Sequence, residues 1–193
     1  MRYPSKHKQE TRERIVHAAS RHFRGRGGKG VAISDLMGKL DLTHGGFYRH
    51  FGSKEQLLAE AVAKGFEESA KRFTDAVETA PSGGELRAIV ETYLSLEHCA
   101  NPADGCPLAA MGSEIARYPW TVRVKIDRAM REHSAKIAKF LPGATKKEQE
   151  RNCLILFSGM AGALNVARAT ADPELRTSIL RSAKEFYIKA FSE

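Results

Sequence analysis

The side chains that could do chemistry are concentrated in a short polar stretch around residue 45. Its hydroxyl, imidazole, phenol and guanidinium groups are hydrogen-bond donors, the groups with which proteins hold phosphates and contact the edges of bases. These groups therefore indicate noncovalent recognition of an anion rather than catalysis. The candidate contact residues are Ser34, Thr43, His44, Gly45, Gly46, Tyr48, Arg49, His50 and Lys54.

The charge distribution points to the same part of the chain. The 193 residues carry a formal net charge of +8. Residues 1–54 hold 12 Lys and Arg against 4 Asp and Glu, whereas residues 55–193 hold 19 of each. A positive charge confined to about fifty residues is typical of a surface that binds a polyanion such as nucleic acid or anionic lipid. The alternative is a basic segment that only improves solubility.

The spacing of apolar residues predicts an all-helical chain. Apolar positions recur every three or four residues rather than every two, and β-branched residues are scattered. The pattern predicts a first helix over about Glu10 to Arg24, which the glycines of 25–30 end, and a short second helix through Leu36 and Leu40. These helices must position the polar stretch.

A third short helix is predicted to begin near Thr43, whose hydroxyl can cap the free N–H groups of its first turn. Phe47 and Phe51 then point inward at i, i+4 spacing. Ser53, followed three residues later by Gln56, has the form of a capping box and predicts the start of a long fourth helix. Three helices followed by a long one are the outline of a helix-turn-helix domain, whose recognition helix enters the major groove of DNA.

Gly45 and Gly46 stand in the first turn of this helix, where each costs about 1 kcal/mol relative to Ala. One explanation is that a bare backbone lets the helix end approach phosphates and base edges closely. The other is that the glycines only allow tight packing on a neighbouring helix. Since glycine has no side chain that reads a base, specificity would depend on His44, Thr43 and DNA shape.

The first 60 or so residues resemble the N-terminal part of the TetR family of bacterial transcriptional regulators. The most specific part of the resemblance is the Tyr-x-His-Phe-x-x-Lys pattern of residues 48–54. The resemblance implies a DNA-binding domain, a C-terminal ligand-binding and dimerising domain, and repression that a small molecule relieves. The residues that carry it are Ile15, Ala18, Ala19, Phe23, Gly27, Leu36, Leu42, Thr43, Phe47, Tyr48, Arg49, His50, Phe51, Ser53, Lys54 and Leu57.

The family's pattern also implies roles for single residues. The positions that grip phosphate are occupied here by Thr43, Tyr48, His50 and Lys54, and those on the turn that meets base edges by His44, Gly45 and Gly46.

Two residues depart from the pattern. Asp41 stands where the family usually has a Gly in the tight turn, and Asp tolerates the left-handed conformation only moderately well. Met37 stands where a small Ala is usual, so we expect slightly wider packing between the second and third helices. Neither departure contradicts the resemblance.

A break is predicted at residues 81–84, Pro-Ser-Gly-Gly, beyond which the helices lengthen. The chain thus divides into a small basic domain, residues 1–54, and a larger, electrically balanced helical domain, residues 55–193. The later helices are predicted over about 85–100, 107–117, 119–140, 145–169 and 172–191.

The apolar faces of the last two of these helices predict a homodimer. A helix that is apolar on two sides needs two partners, so we expect both helices to pair with those of a second copy in a four-helix interface. The alternative is that both are buried in a monomer core. The first of them has Cys153, Phe157, Met160, Leu164 and Ala167 on one face and Gly159, Gly162 and Val166 on another, and the last helix carries Leu175, Ile179, Ala183, Phe186 and Ala190.

An effector site is expected between the long helices, because helical regulators bind small molecules in apolar cavities with a few polar groups. For each candidate alone, an ordinary place in the core or on the surface is the alternative. Cys99 and Cys106 could sense oxidants or electrophiles if exposed with a lowered pKa, but free structural cysteines are favoured. The candidate lining residues are Tyr93, Cys106, Met111, Trp120, Phe157 and Asn165.

Three functions compete. The favoured one is a DNA-binding homodimer, a repressor that a small apolar or amphipathic ligand releases from its operator. It is expected to have no cofactor, metal or catalytic residue. The second is a constitutive or architectural DNA-binding protein without an effector, which a solid C-terminal core would favour. The third is an enzyme, such as a thiol hydrolase using Cys106 with His98, but no oxyanion motif, metal cluster or phosphate loop supports it.

The chain is expected in the cytoplasm. Its first eight residues are polar and charged, unlike a secretory signal, and the longest apolar run, 153–157, is far short of the roughly 20 residues of a membrane span. Three cysteines without zinc or redox spacing fit a reducing compartment. A membrane surface is a poor fit for the basic segment, because it forms short helices with Phe47 and Phe51 turned inward.

Overall fold

The computed structural model describes residues 3–28 and 30–191, with side chains from residue 6 onward. Met1, Arg2, Lys29, Ser192 and Glu193 lie outside the described residues. Met1 and Arg2 belong to the polar start of the chain, residues 1–8. The described residues contain ten α-helices, one 3₁₀ turn and no strand, as the apolar spacing predicts. The helices are α1 (Tyr3–Arg26), α2 (Ile33–Gly38), α3 (His44–Phe47), α4 (Lys54–Glu78), α5 (Glu85–Tyr93), α6 (Leu96–Ala100), α7 (Pro107–Ile115), α8 (Trp120–Ala138), α9 (Lys146–Ala169) and α10 (Pro173–Ala190), with the 3₁₀ turn at Pro102–Asp104.

Local capping signals explain where most helices begin. Ser53 accepts a hydrogen bond from the Gln56 N–H at 3.1 Å and starts α4, although the Gln56 amide oxygen accepts from Gly52 N–H rather than closing a capping box on Ser53. A complete capping box, Thr145 with Glu148, starts α9. Helix ends follow backbone chemistry in the same way, since α1 stops just before Gly27, which has a φ of 75°.

Three predicted helices differ clearly from the structure. The second helix ends at Gly38, so Leu40 lies beyond it. The first helix begins at Tyr3, seven residues earlier than Glu10. The single helix predicted over 85–100 is wrong, because it is divided between α5 and α6. Ser95 causes the division, since its hydroxyl accepts from the His98 N–H at 3.0 Å and caps a new helix.

Two apolar clusters hold the fold together. The first gathers α1, α2, α3 and the first half of α4, and α7 and α8 close it through residues such as Met111 and Ile126. The second gathers the rest of α4 with α5, α6, α9 and α10, and it also includes Ala109 of α7 and Ile137 and Ala138 of α8. Since α4 belongs to both clusters and helices from the C-terminal half complete the first, the boundary at residue 54 remains a prediction.

Arg24 joins α1 to the C-terminal half of the chain. Its side chain is 1% exposed and donates to the carbonyl of Ser20 at 3.1 Å, to the carbonyl of Gly105 at 2.8 Å, and to the carboxylate of Glu68 on α4. Burial lowers the pKa of this guanidinium, and the opposite charge of Glu68 raises it. Gly65 makes room for it, because a Cβ there would lie 3.3 Å from Arg24 Cζ.

The 3₁₀ turn next to Gly105 is held by two further arginines. Arg21 on α1 pairs with the side chain of Asp104, and Arg72 on α4 donates to the carbonyl of Asp104. The pair between Arg21 and Asp104 is about half exposed, at 50% and 46%, whereas Arg24 is enclosed. Exposed ion pairs contribute little to stability, whereas a buried charge needs its partner.

We predict that Arg24→Ala lowers the free energy of unfolding by about 3–5 kcal/mol, because it leaves the Glu68 carboxylate and the Gly105 carbonyl without their buried donor. Arg21→Ala, which removes an equally charged side chain from the same helix, should cost at most about 1 kcal/mol. Urea unfolding of the two variants measures the difference. Equal losses for Arg21 and Arg24 would contradict the role given to Arg24.

Candidate nucleic-acid interface and internal cavity

The third helix is short and is fixed at both ends. Thr43 has an extended backbone, and its hydroxyl oxygen accepts from the Gly46 N–H at 3.2 Å, which caps α3 as predicted. Phe47 and Phe51 are each 1% exposed and their rings stack at 5.5 Å. Phe51 lies beyond the helix, in the turn that follows it. One face of α3 is therefore buried, and the opposite face is left for a partner.

The turn between α2 and α3 places Asp41 in the left-handed region, with a φ of 58°. It is the only non-glycine residue among those described with a positive φ. The Leu42 N–H donates to the Met37 carbonyl at 3.0 Å and the Asp41 N–H to the Gly38 carbonyl at 3.1 Å, the two bonds of a Schellman motif. The TetR-family pattern usually has Gly at this position, and that Gly correctly indicated the left-handed conformation of Asp41.

The two glycines of α3 have different surroundings. A Cβ on Gly45 would meet nothing within 4 Å, so this position is open to a close partner. A Cβ on Gly46 would lie 3.3 Å from the Thr43 hydroxyl and 3.8 Å from Met37 Cε. The two explanations for the glycines therefore apply to one residue each: close approach from outside at Gly45, and packing within the domain at Gly46.

Most of the candidate contact residues lie at the surface. The His44 imidazole packs edge-on against Tyr48, with ring centroids 5.7 Å apart, and Tyr48 is 63% exposed. Gly46, His50 and Lys54 are half-buried. The exposed members are Ser34, Thr43, His44, Gly45, Tyr48 and Arg49.

Two of the half-buried residues have limited freedom. Lys54 donates from Nζ to the Val31 carbonyl at 2.6 Å, which leaves two of its three N–H donors. Burial, followed by the positive charges of Lys8, Arg12 and Arg49, lowers the pKa of His50. Near pH 7 the His50 imidazole is therefore a neutral hydrogen-bonding group.

Arg12 fixes the end of this surface, a function that sequence spacing did not indicate. Its guanidinium lies 4.3 Å above the Phe51 ring and forms an ion pair with Glu60 on α4. The hydrogen bonds to Glu60 raise the pKa of Arg12 and lower that of Glu60. The contact joins α1, α4 and the turn after α3, so the candidate surface is attached to both long helices.

A small cavity lies between α4, α5, α7, α8 and α9. Its volume is about 30 Å³, enough for a water molecule but far below the roughly 300–1,000 Å³ of a typical ligand pocket. The rings of Phe73, Tyr93, His133 and Phe157 pack beside it with centroids 5.4–6.1 Å apart. The lining residues are Phe66, Tyr93, Cys106, Leu108, Met130, His133, Ser134, Leu154, Phe157 and Ser158.

Two buried polar atoms lie at this cavity without a matching group. His133 Nδ1 is 3.1 Å from the Phe66 carbonyl, while Nε2 has no hydrogen-bond partner among the described residues. The Tyr93 hydroxyl is fully buried and meets no oxygen or nitrogen acceptor in the same part of the chain. Burial, and then the neighbouring Cys106 thiol, raises the pKa of Tyr93 well above its usual range. Both side chains are therefore neutral.

His98 has a structural role. Its Nδ1 donates to the Tyr93 carbonyl at 2.6 Å, and its Nε2 accepts from the Cys106 backbone N–H at 2.9 Å. A Cβ on Gly105 would lie 2.6 Å from Nε2, so a glycine is needed there. Because both ring nitrogens are bonded to the backbone, His98 is not placed to deprotonate the Cys106 thiol.

The three thiols are enclosed. Cys99, Cys106 and Cys153 are free and buried. Burial raises the pKa of Cys153 to about 12. These surroundings favour structural cysteines over the exposed, low-pKa thiol that oxidant sensing requires.

Comparison with known sequences finds a match in the N-terminal part of the chain. Residues 15–61 match the pattern described as bacterial regulatory proteins, tetR family. The N-terminal region of the chain therefore has the pattern of the TetR family. Proteins with this pattern are transcriptional regulators whose N-terminal helix-turn-helix domain binds DNA.

One curated relative is the HTH-type transcriptional regulator LmrA of Bacillus subtilis (strain 168). It is 28% identical over 126 residues, which are 64% of this chain and 66% of the relative, just under two thirds of its length. Among solved structures, a TetR regulator from Chloroflexus aurantiacus J-10-FL is 25% identical, with a TM-score of 0.74 and 97% of each chain covered. FadR of Bacillus subtilis, solved with stearoyl-CoA, shares the fold at 14% identity, with a TM-score of 0.67 over 91% of this chain and 96% of that one.

The cavity brings together three of the six residues expected to line an effector site: Tyr93, Cys106 and Phe157. The other three lie elsewhere. Met111 is buried in the first apolar cluster, Trp120 is 70% exposed at the start of α8, and Asn165 is exposed on α9. In the described part of the chain, no helix has the length and apolar character that crossing a membrane requires.

His133 is the main cavity residue that sequence reasoning missed. It continues the buried face of α8 formed by Ile126, Ala129 and Ile137, at helical spacing. A histidine on an otherwise apolar face was therefore visible in the sequence. Its significance depends on Phe66 and Tyr93, which are far away along the chain.

We predict that this protein loses stability as the pH falls from about 6.5 to about 4. Burial is the main cause that lowers the pKa of both His98 and His133 to about 4, with contributions from Arg168, Arg72 and Arg24 for the former and Lys136 for the latter. An unfolded histidine titrates at about 6.5, so the unfolded state binds protons over this range that the folded state does not. Below about pH 4 the loss amounts to the order of 3 kcal/mol per histidine.

Urea unfolding at several pH values checks this expectation. His133→Phe should remove about half of the slope between pH 6.5 and 4, because His98 continues to titrate. A slope that is the same in the wild type and in His133→Phe would show that His133 is not held neutral.

Proposed function

We propose that this chain is a homodimeric transcriptional repressor that binds a two-fold symmetric DNA operator and releases it when a small molecule occupies the C-terminal half. The observation that carries the proposal is the exposed polar face of α3, whose opposite face is anchored by Phe47 and Phe51 in the part of the chain that holds all the excess positive charge. A partner of this kind places the protein in the cytoplasm with the chromosome.

The arrangement of α3 supports major-groove binding. A recognition helix meets base edges with its N-terminal residues, and flanking side chains hold the phosphates. Here His44 and the open Gly45 stand at that end, which leaves few side chains for direct base contacts. In the proposed complex Thr43, Tyr48, Arg49 and Lys54 hold phosphates, with His50 as a neutral partner.

The last two helices supply the proposed dimer interface. An outer face, defined by Ile155, Gly162 and Val166 on α9 with Leu175 and Phe186 on α10, is exposed, and its four large side chains are 50–63% accessible. Gly159 does not belong to this face, because a Cβ there would lie 1.8 Å from the Tyr187 hydroxyl on α10 of the same chain. An exposed apolar face of this kind supports pairing with its copy about a two-fold axis.

A continuous route supports communication between the cavity and α1. The Cys106 side chain lines the cavity, and its backbone N–H donates to His98. The preceding Gly105 carbonyl accepts from Arg24 of α1. A ligand that displaces Cys106 would therefore move the backbone to which α1 is attached, and a population shift of this kind changes the separation of two recognition helices.

The volume of the cavity favours a second candidate function, a DNA-binding regulator that responds to no effector. FadR, which shares the fold, was solved with the large ligand stearoyl-CoA, whereas the cavity here has a volume of about 30 Å³. The two candidates differ in one measurable property. A ligand that binds the protein and releases DNA supports the first candidate, and the absence of any such ligand supports the second.

We predict that the protein binds a palindrome in the DNA flanking its own gene, with half-sites about 34 Å apart or a multiple of that spacing. Affinity should fall steeply with salt. Gel shifts over a range of salt concentrations measure both properties. Binding that is equally strong to unrelated DNA would contradict the operator.

Single substitutions then separate the two kinds of contact. His44→Ala should weaken binding to the operator but not to unrelated DNA, by about 1–3 kcal/mol if His44 contacts a base. Arg49→Ala should weaken binding to both and reduce the salt slope by about 1. Lys147→Ala, an exposed charge on the balanced C-terminal half, is the matched control and should change neither.

We predict that Phe186→Asp produces a monomer, because it places an unpaired charge in the proposed apolar interface. Trp120→Asp changes a side chain that is equally exposed, at 70% against 63%, but lies outside the outer face, so it should leave the dimer intact. Sedimentation velocity measures both. A dimeric Phe186→Asp protein would place the interface elsewhere.

A further inference from the structure

The cavity described above contains a specific chemical pattern. It is enclosed mostly by apolar and aromatic side chains, and among the described residues that line it none is Asp, Glu, Lys or Arg. Within this surface, the two unmatched polar atoms are His133 Nε2 and the Tyr93 hydroxyl. Both side chains are more than nine-tenths buried. Burying a polar atom without a hydrogen bond costs about 1–3 kcal/mol, so the two atoms together mark a place that a polar ligand group would stabilise.

The neighbours of His133 determine what that group must be. Because Nδ1 faces the Phe66 carbonyl at 3.1 Å, Nδ1 carries the proton and Nε2 presents a lone pair to the cavity. The ligand must therefore donate a hydrogen bond to His133. The Tyr93 hydroxyl can donate in return, since it has no oxygen or nitrogen acceptor among the described residues.

The surroundings also determine the charge of the ligand. An anion would enter an apolar site without a cationic side chain in the lining, and burying an unpaired charge is far more costly than burying a neutral hydroxyl. His133 does not supply the missing charge, since burial keeps its pKa at about 4. Flat aromatic groups fit beside the rings of Phe66 and Phe157.

Access is available from one side. Leu154 is 52% exposed and Ser158 is exposed, whereas Met130 and Ser134 are half-buried, so the mouth of the cavity lies between α8 and α9. The present volume is too small for an aromatic ring, and Met130 and Leu154 must move to admit one. Both are unbranched at Cβ, and Met in particular adapts readily.

We propose that this cavity opens to take a neutral, flat molecule with an O–H or N–H donor, the simplest example being a phenol, whose hydroxyl donates to His133 and accepts from Tyr93. The proposal names the ligand class of the repressor and so rests on the proposed function for its biological meaning. The binding itself can be measured separately.

The experiment compares four probes of similar size on the full-length protein near pH 7: phenol, anisole, toluene and benzoate. Protein with ¹³C-methyl methionine provides the readout, because Met130 lines the cavity while Met37 and Met111 are buried elsewhere and serve as internal controls. We expect phenol to shift the Met130 signal and to bind at least about tenfold tighter than anisole or toluene. Benzoate should not shift it.

Two variants test the assigned groups. His133→Phe keeps a ring beside Phe66, Phe73 and Phe157 but removes the acceptor, so phenol should lose its advantage over toluene. Tyr93→Phe should reduce that advantage in part. Trp120→Phe, outside the cavity, is the control and should bind phenol like the wild type. Because the comparison is between probes on one protein, a variant that is less stable still gives a valid ratio.

The results separate the inference from the proposed function. Phenol binding at Met130 without release of operator DNA supports the ligand class and contradicts effector control. Release of DNA by a compound that leaves the Met130 signal unchanged overturns the ligand class while supporting the repressor. Equal binding of phenol and toluene, or no shift of Met130 with any probe, also overturns the ligand class.

Discussion

The buried Arg24 guanidinium is the interaction on which the relation between the two halves of the chain depends. Arg24 lies on α1, but its partners are Glu68 on α4 and the backbone carbonyl of Gly105. A charge enclosed to this degree must keep its partners, so α1 cannot shift far from either while the charge remains paired. The helix-turn-helix is therefore attached to the C-terminal half by a directional contact as well as by the apolar packing of α4.

Local features of the fold could be predicted from sequence because their causes are local. Thr43 bonds to a group three residues away, and Phe47 and Phe51 share a face by helical geometry. The break at Ser95 was missed because a serine inside an apolar run carries no strong signal until its hydroxyl is seen to cap His98. The candidate DNA surface was thus predictable in outline, and the α5–α6 boundary was not.

The internal cavity shows a different limit. Tyr93, Cys106 and Phe157 were expected to line an apolar cavity with a few polar groups, and the same expectation selected the exposed Trp120 and Asn165. His133 was missed, because its importance depends on the Phe66 carbonyl, 67 residues away. Contacts between distant segments decide which polar residues become unmatched, and composition or spacing does not contain that information.

Buried polar groups in this protein fall into two kinds, and the contrast bears on function. Arg24 and His98 have a partner for every group that they direct inward, and both hold the segment around Gly105. His133 and Tyr93 are as deeply buried but each keeps one unmatched atom. If packing alone had decided these positions, phenylalanine would fill either without the cost of desolvation. His133 and Tyr93 therefore lie where a ligand would be recognised. Arg24 and His98 lie between that site and α1, where they would transmit the presence of the ligand.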